Sequence, residues 1–137
     1  EITVGDLQQA LARQGVELAR GDAVVIHTGW GQLWGVDNAR FQETNPGIGV
    51  AAAEWLAERE PILVGADTSP VEVRPNPDSA ISLPVHQIML AINGIHLLEN
   101  LKLDELAGKR VSEFAFIVQP LKIQGATGST VAPIAIR

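Results

Sequence analysis

The 137-residue chain contains no cysteine. Disulfides, thiolate metal sites and cysteine nucleophiles are thereby excluded, and the redox compartment stays open. Basic residues are few and scattered: ten Lys and Arg stand against sixteen Asp and Glu, for a formal net charge of -6. No basic run or stripe is present, so neither nucleic acid nor an acidic membrane is an expected partner. No apolar run approaches membrane-spanning length and no signal-peptide pattern opens the chain, so a cytoplasmic protein is expected. Several catalytic signatures are also missing. There is no Gly-x-Ser-x-Gly elbow, no Gly-x-Gly-x-x-Gly fingerprint and no phosphate loop with its lysine.

What is present is an ordinary globular composition, 46% apolar and 19% charged. It suits one domain over residues 1–137 with a sizeable core. Thr3 with Asp6 three residues on reads as a helix start, and Val4, Leu7 and Leu11 share its apolar face up to Gly15. Ala23 to Ile26 is a buried strand between glycine turns, followed by an irregular stretch over 31–44. Asn45-Pro46 predicts a capped helix carrying Ile48, Ala52, Trp55 and Leu56 on one side. "PILVGAD" predicts a second buried strand ending at Asp67. A long proline-bearing loop over 68–83 follows, a length that usually signals function or mobility. Pro84 opens a helix that Asn93-Gly94 ends, and "IHLLEN" is a third strand. Leu103 to Ala107 is a short helical turn. "EFAFIVQPLKI" is a strand bent or interrupted at Pro120, and "VAPIAI" is a last strand. Helices alternating with strands imply an α/β architecture.

Candidate chemistry concentrates in "PVHQIMLAINGIHLLENL". His86 falls on the first turn of its helix. Lone histidines more often cap or pack than ligate, because ligands come in clusters. Glu99 ends a strand, where α/β proteins place ligand groups. A solvent-facing carboxylate is an equal reading. His96 and Glu99 are three apart on a strand and so point to opposite faces. His96 is therefore expected to be structural or at an interface. Asp67 is a ligand or catalytic acid, or a cap for the start of its own loop, and the cap is favoured. Glu72 would pin the same loop. "GATGS", with Thr127 and Ser129, offers N–H groups and hydroxyls for an anion or oxyanion, though an ordinary turn is the plainer use. Trp30, between two glycines, is either a ligand wall or a contact with a neighbouring subunit. The residues alone support a pocket near Asp67, His86, Glu99 and the 125–129 loop, without a complete catalytic set.

Taken in order, "GDAVVIHTGWG", "GIGVAAAEWLAER", "LVGADTSPVEV", "PVHQIMLAINGIHLLENL", "EFAFIVQPLKIQGATGS" and "VAPIAI" give the chain a resemblance to one family. It resembles the cyclase family of metal-dependent hydrolases, which includes the bacterial kynurenine formamidases. The resemblance implies a swivelling β/β/α-type fold and one or two divalent ions, usually zinc or manganese. It implies that the metal, as a Lewis acid, activates water towards an amide, ester or lactam carbonyl of a small substrate. It maps the family's later metal-ligating His onto His86 and the later Glu onto Glu99. Trp30, Thr127 and Ser129 are the expected substrate contacts.

The family's principal ligand motif, His-x-Gly-Thr-His-x-Asp-x-Pro, is not in these residues. Together with an opening Glu1 in place of Met, this suggests the C-terminal part of a longer fold. Two candidate ligands are fewer than the three that zinc usually takes from protein. The chain alone is thus expected to bind metal weakly and to lack turnover. It is also expected to form a homo-oligomer or pair with a companion N-terminal chain. A non-catalytic binding or assembly protein and one chain of a two-chain enzyme are the alternatives.

Overall fold

The computed structural model describes all 137 residues. Helix α1 (Val4–Gln14) starts at a capping box: Thr3 Oγ1 accepts from the Asp6 amide, and the Asp6 carboxylate accepts from the Thr3 amide at 2.8 Å. Gly15, in the left-handed region, ends it. Strands β1 (Ala23–Ile26), β2 (Leu63–Ala66) and β3 (His96–Leu98) form a parallel sheet in the order β1-β2-β3. Ala23 pairs with Leu63, and Leu63 with His96. The middle strand β2 is buried at all four residues, as a near-continuous apolar run in a parallel sheet should be.

Helix α3 (Val50–Ala57) packs on α1, on α4 (Pro84–His86) and on the π-helical turn, Gln87–Ile92, into which α4 passes directly and which lies against β3. Ile48, Leu56, Val64, Val71, Val85 and Met89 make the centre of the core. Leu56 and Met89 are fully buried, which contributes about 1.5–3 kcal/mol for each side chain. The π turn is closed by the Asn93 amide donating to Ile88 O at 3.2 Å, with the Asn93 side chain donating to the same carbonyl. Helix α5 (Asp104–Gly108) follows β3. The last strands, β4 (Ala115–Ile117) and β5 (Ile134–Ile136), form an antiparallel ribbon with Ala115 opposite Ile136. The ribbon and the loop between its strands leave Ile117, Leu121, Ile123, Ile134 and Ile136 exposed. No helix is long and apolar enough to cross a membrane. The α/β expectation is borne out, with parallel and antiparallel sheets in one chain.

Three local expectations are corrected. The helix expected after Asn45-Pro46 begins only at Val50, with Gly49 as its N-cap residue. Residues 45–48 are instead held by bridges from Asn45 to Arg74 and from Ile48 to Glu72. Tertiary pairing outweighs the local cap signal there. Gly47 lies so close to the crossing chain that a Cβ would sit 2.2 Å from Glu72 C. The stretch over 31–44, expected to be irregular, contains a 3-10 turn, Trp30–Leu33, and helix α2 (Asn38–Glu43). The Asp37 side chain accepts from the Arg40 amide and caps α2. The long strand expected over 113–123 reduces to the three residues of β4, since Pro120 can donate nothing to a ladder.

Candidate functional site

All three parallel strands end on the same edge of the sheet, and a titratable residue follows closely on each: His27 after β1, Asp67 after β2 and Glu99 after β3. This edge is where open parallel sheets collect ligand groups. The three residues do different things.

Asp67 is buried and saturated. Its Oδ1 accepts from the Thr28 amide at 2.9 Å and the Thr28 hydroxyl at 2.6 Å; its Oδ2 accepts from the amides of Gly29 at 2.8 Å and Gly31 at 3.4 Å. It is a cap, but for the turn after β1 rather than for its own loop. Gly31 lets the turn approach closely, since a Cβ there would lie 3.0 Å from both Asp67 Cβ and Asp67 O. His27 Nε2 lies 3.8 Å from Asp67 Oδ2 and 3.8 Å from Asp104 Oδ1. His27 was not singled out from sequence; its place directly after a buried strand was the available signal.

His86 and Glu99 converge, with Nε2 3.5 Å from Oε1. Each is held from behind. Glu99 accepts from the Ser69 hydroxyl at Oε2, 3.0 Å, and from the Val71 amide at Oε1, 3.1 Å. The 68–83 loop is thus tied at its start to the end of β3. Glu72, further along this loop, is 2% exposed. Its Oε2 accepts from the Val85 amide at 3.2 Å, and its Oε1 accepts from the His86 amide at 3.1 Å. The same Oε1 lies 2.5 Å from His86 Nδ1. This hydrogen bond raises the His86 pKa above its ordinary value; burial opposes the rise, and the charges of Glu72 and Glu99 add to it. Both His86 and Glu99 keep 28% of their side-chain surface exposed, so the pair is reachable from solvent. From sequence, Glu72 reads only as a pin for its loop. A lone acid between two valines in "PVEV" was the signal, because a buried acid must be paired.

The other expected residues are not joined to this pair. His96 points away, as strand alternation requires, with its Nδ1 3.3 Å from Ile62 O. Trp30 begins the 3-10 turn braced by Asp67; Arg40 lies 5.1 Å above its ring, and its buried indole N–H has no partner. Thr127 is exposed, and the Ser129 hydroxyl accepts from the Leu121 amide within the ribbon loop. No hydrogen bond connects these two to His86 or Glu99. A groove of about 640 Å³ runs between α1, β1 and the 103–114 segment, with His27 on its wall. It is chiefly apolar, and neither His86 nor Glu99 lines it.

The family described as Putative cyclase matches residues 1–73, just over half of the chain. The chain belongs to the cyclase family. Kynurenine formamidase from Bordetella petrii is 36% identical over 81 residues, which is 59% of this chain and 35% of that protein. A crystal structure of a novel cyclase superposes with a TM-score of 0.87 at 36% identity, over 99% of this chain and 47% of that one. Isatin hydrolase A from Ralstonia solanacearum superposes with a TM-score of 0.77 at 26% identity, over 98% of this chain and 52% of that one. The chain therefore spans about half, or less, of the length of the relatives it matches. The cyclase fold accounts for the parallel sheet and the ribbon together.

An imidazole nitrogen and a carboxylate oxygen suit zinc or manganese. The donor set is short, however. No group of three or more His, Asp or Glu side chains is arranged to hold a metal ion, and zinc usually takes at least three protein ligands. His86 and Glu99 fit such an ion as part of a site.

Proposed function

We propose that this cyclase-family chain is part of a metal-dependent hydrolase acting on an amide, lactam or ester carbonyl of a small substrate. The observation that carries the reading is the convergence of His86 Nε2 and Glu99 Oε1 at 3.5 Å, at the sheet edge and open to solvent. Similarity to a kynurenine formamidase and an isatin hydrolase supports the carbonyl class. His86 and Glu99 would hold a divalent ion, zinc or manganese, with the remaining donors supplied by polypeptide outside residues 1–137. When bound, the ion supplies Lewis acidity to the attack on the carbonyl.

The chain's own residues orient the donors. Ser69 and the Val71 amide fix the Glu99 carboxylate, and the π-helical turn that continues α4 follows directly on His86. Trp30, whose indole N–H is buried and unpartnered, would contact a substrate acceptor only where the turn after β1 opens to expose it. Thr127 and Ser129 would contribute only where the ribbon is brought to the site by further polypeptide.

The test is a comparison of two preparations. The 137-residue chain alone should take up Zn²⁺ or Mn²⁺ weakly and turn over neither an aryl formamide nor isatin. Supplied with the polypeptide that carries the other donors, it should bind metal stoichiometrically and hydrolyse one of these substrates. His86→Ala and Glu99→Gln should each abolish that turnover. Full turnover in both variants refutes the assignment, and tight metal with turnover by the chain alone refutes its incompleteness.

A further inference from the structure

We propose that Glu72 is a positioning residue that fixes the tautomer of His86, placing the proton on Nδ1 and leaving the Nε2 lone pair facing Glu99. The consequence for metal rests on the reading above; the tautomer itself does not.

Glu72 meets both the backbone and the ring of one residue. The amides of Val85 and His86 can only donate, and the Glu72 carboxylate accepts from both, at 3.2 and 3.1 Å. A carboxylate is an acceptor only, so the ring nitrogen 2.5 Å from Oε1 is the donor. In a neutral imidazole a proton on Nδ1 leaves Nε2 as the acceptor. Glu99 does not reclaim that nitrogen: 3.5 Å lies beyond the 2.7–3.2 Å of a good N–H···O bond. A histidine that donates one ring nitrogen to a carboxylate and offers the other is the general arrangement behind a metal ligand.

Glu72 is itself immobilised. Its carbonyl accepts from the Asn45 side chain at 3.0 Å, its backbone bridges to Ile48, and Gly47 packs directly against it. A chain of contacts therefore runs from the buried core through Glu72 to His86. A carboxylate that merely capped α4 would need only the two amides. The third contact, to the ring, is what a positioning role adds.

The test uses ¹⁵N-histidine-labelled protein and the isosteric Glu72→Gln variant, at an alkaline pH where imidazole is neutral. Wild-type His86 should show the Nδ1–H tautomer in long-range ¹H–¹⁵N spectra. In Glu72→Gln the side-chain NH₂ competes for the ring, and the signal should move to a mixture or to the Nε2–H form. Glu72→Asp, which keeps the carboxylate, should retain more of the Nδ1–H form than Glu72→Gln. Zn²⁺ affinity by calorimetry, on the preparation carrying all donors, should fall by about 10–100-fold in Glu72→Gln. An Nε2–H tautomer in the wild type overturns the proposal, even if the variant does not fold. So does an unchanged Nδ1–H form, or unchanged Zn²⁺ affinity, in a folded Glu72→Gln. If wild-type protein shows the Nδ1–H form but no Zn²⁺ binding involves His86, the metal reading fails and the tautomer assignment stands.

Discussion

Replacing Asp67 by asparagine should destabilise the protein far more than so small a change suggests. Asp67 is 3% exposed, and its two oxygens accept four hydrogen bonds from Thr28, Gly29 and Gly31. Bonds to a charged group are worth roughly 1.5–3 kcal/mol each. The four share one carboxylate and one turn, so their sum overstates the effect. In Asp67→Asn one oxygen becomes an NH₂. Whichever way the amide is turned, a donor then faces a donor, either at Thr28 or at Gly29 and Gly31. A loss of about 3–5 kcal/mol is expected, as for removing one partner of a buried charged contact. That is a large part of the ~5–15 kcal/mol typical of a domain. With a urea slope of about 1–3 kcal/mol/M, the unfolding midpoint should fall by roughly 2 M at unchanged slope. Thr28→Val, which removes the hydroxyl's bond to Asp67 and also takes away the acceptor of the Trp30 amide, should cost about 1–3 kcal/mol. A midpoint shift under about 0.5 M in Asp67→Asn would show that the turn after β1 holds itself, and the bracing argument would fail.

Glu99→Gln should behave oppositely: two donors and a part-exposed site predict a loss of about 1 kcal/mol or less by the same urea measurement. Gly47→Ala should cost about 3 kcal/mol or more, or prevent soluble expression, because its Cβ meets backbone at 2.2–2.5 Å; a thermal midpoint within 2–3 °C of wild type, read against the usual ~2–4 °C per kcal/mol, would contradict the close approach. Glu72 raises the pKa of His86 above its ordinary 6.5, so the stabilisation is fully present below about 6.5 and is lost as pH rises through the folded value. Thermal stability should accordingly decline from pH 6 towards pH 9, and His86→Gln should remove that decline.

The sheet was legible because β1, β2 and β3 are short apolar runs between turn residues. The burial expected of such runs holds for β2 alone, while β1 is half-buried and β3 begins exposed at His96, as outer strands of a three-stranded sheet. Thr3 and Asp6 were equally plain, since a capping box is contained within four residues. The start of α3 was not. Its apparent cap, Asn45-Pro46, is taken by contacts to residues 70–74, which lie far along the chain. The same separation hid Glu72. Its partners, the amides of Val85 and His86, lie across a thirteen- to fourteen-residue gap, and nothing local signals that a loop acid will reach a helix start. His86 and Glu99 were found through resemblance and strand-end logic, and the sheet does bring them together. Parity along β3 correctly turned His96 away. What no local pattern conveyed was the division of labour among the acids on this face.

That division follows from counting what each carboxylate accepts. A carboxylate offers about four lone-pair sites. Asp67 fills all of them with donors from the turn after β1 and is buried; it has no capacity left for a ligand. Glu72 accepts from two amides and one ring nitrogen and is equally buried, so its remaining capacity is inaccessible. Glu99 accepts only from Ser69 and Val71, one contact at each oxygen, and stays part-exposed. It alone is both held and unsaturated, and the open nitrogen of His86 faces it. The same distinction separates the two histidines on this sheet edge. His27 sits 3.8 Å from two carboxylates with no hydrogen bond to orient it, whereas His86 has its ring fixed through Nδ1. A site needs donors that are immobile yet incompletely satisfied. Among Asp67, Glu72, Glu99, His27 and His86, only Glu99 and His86 meet both conditions, and each meets them because a neighbouring loop residue supplies the restraint.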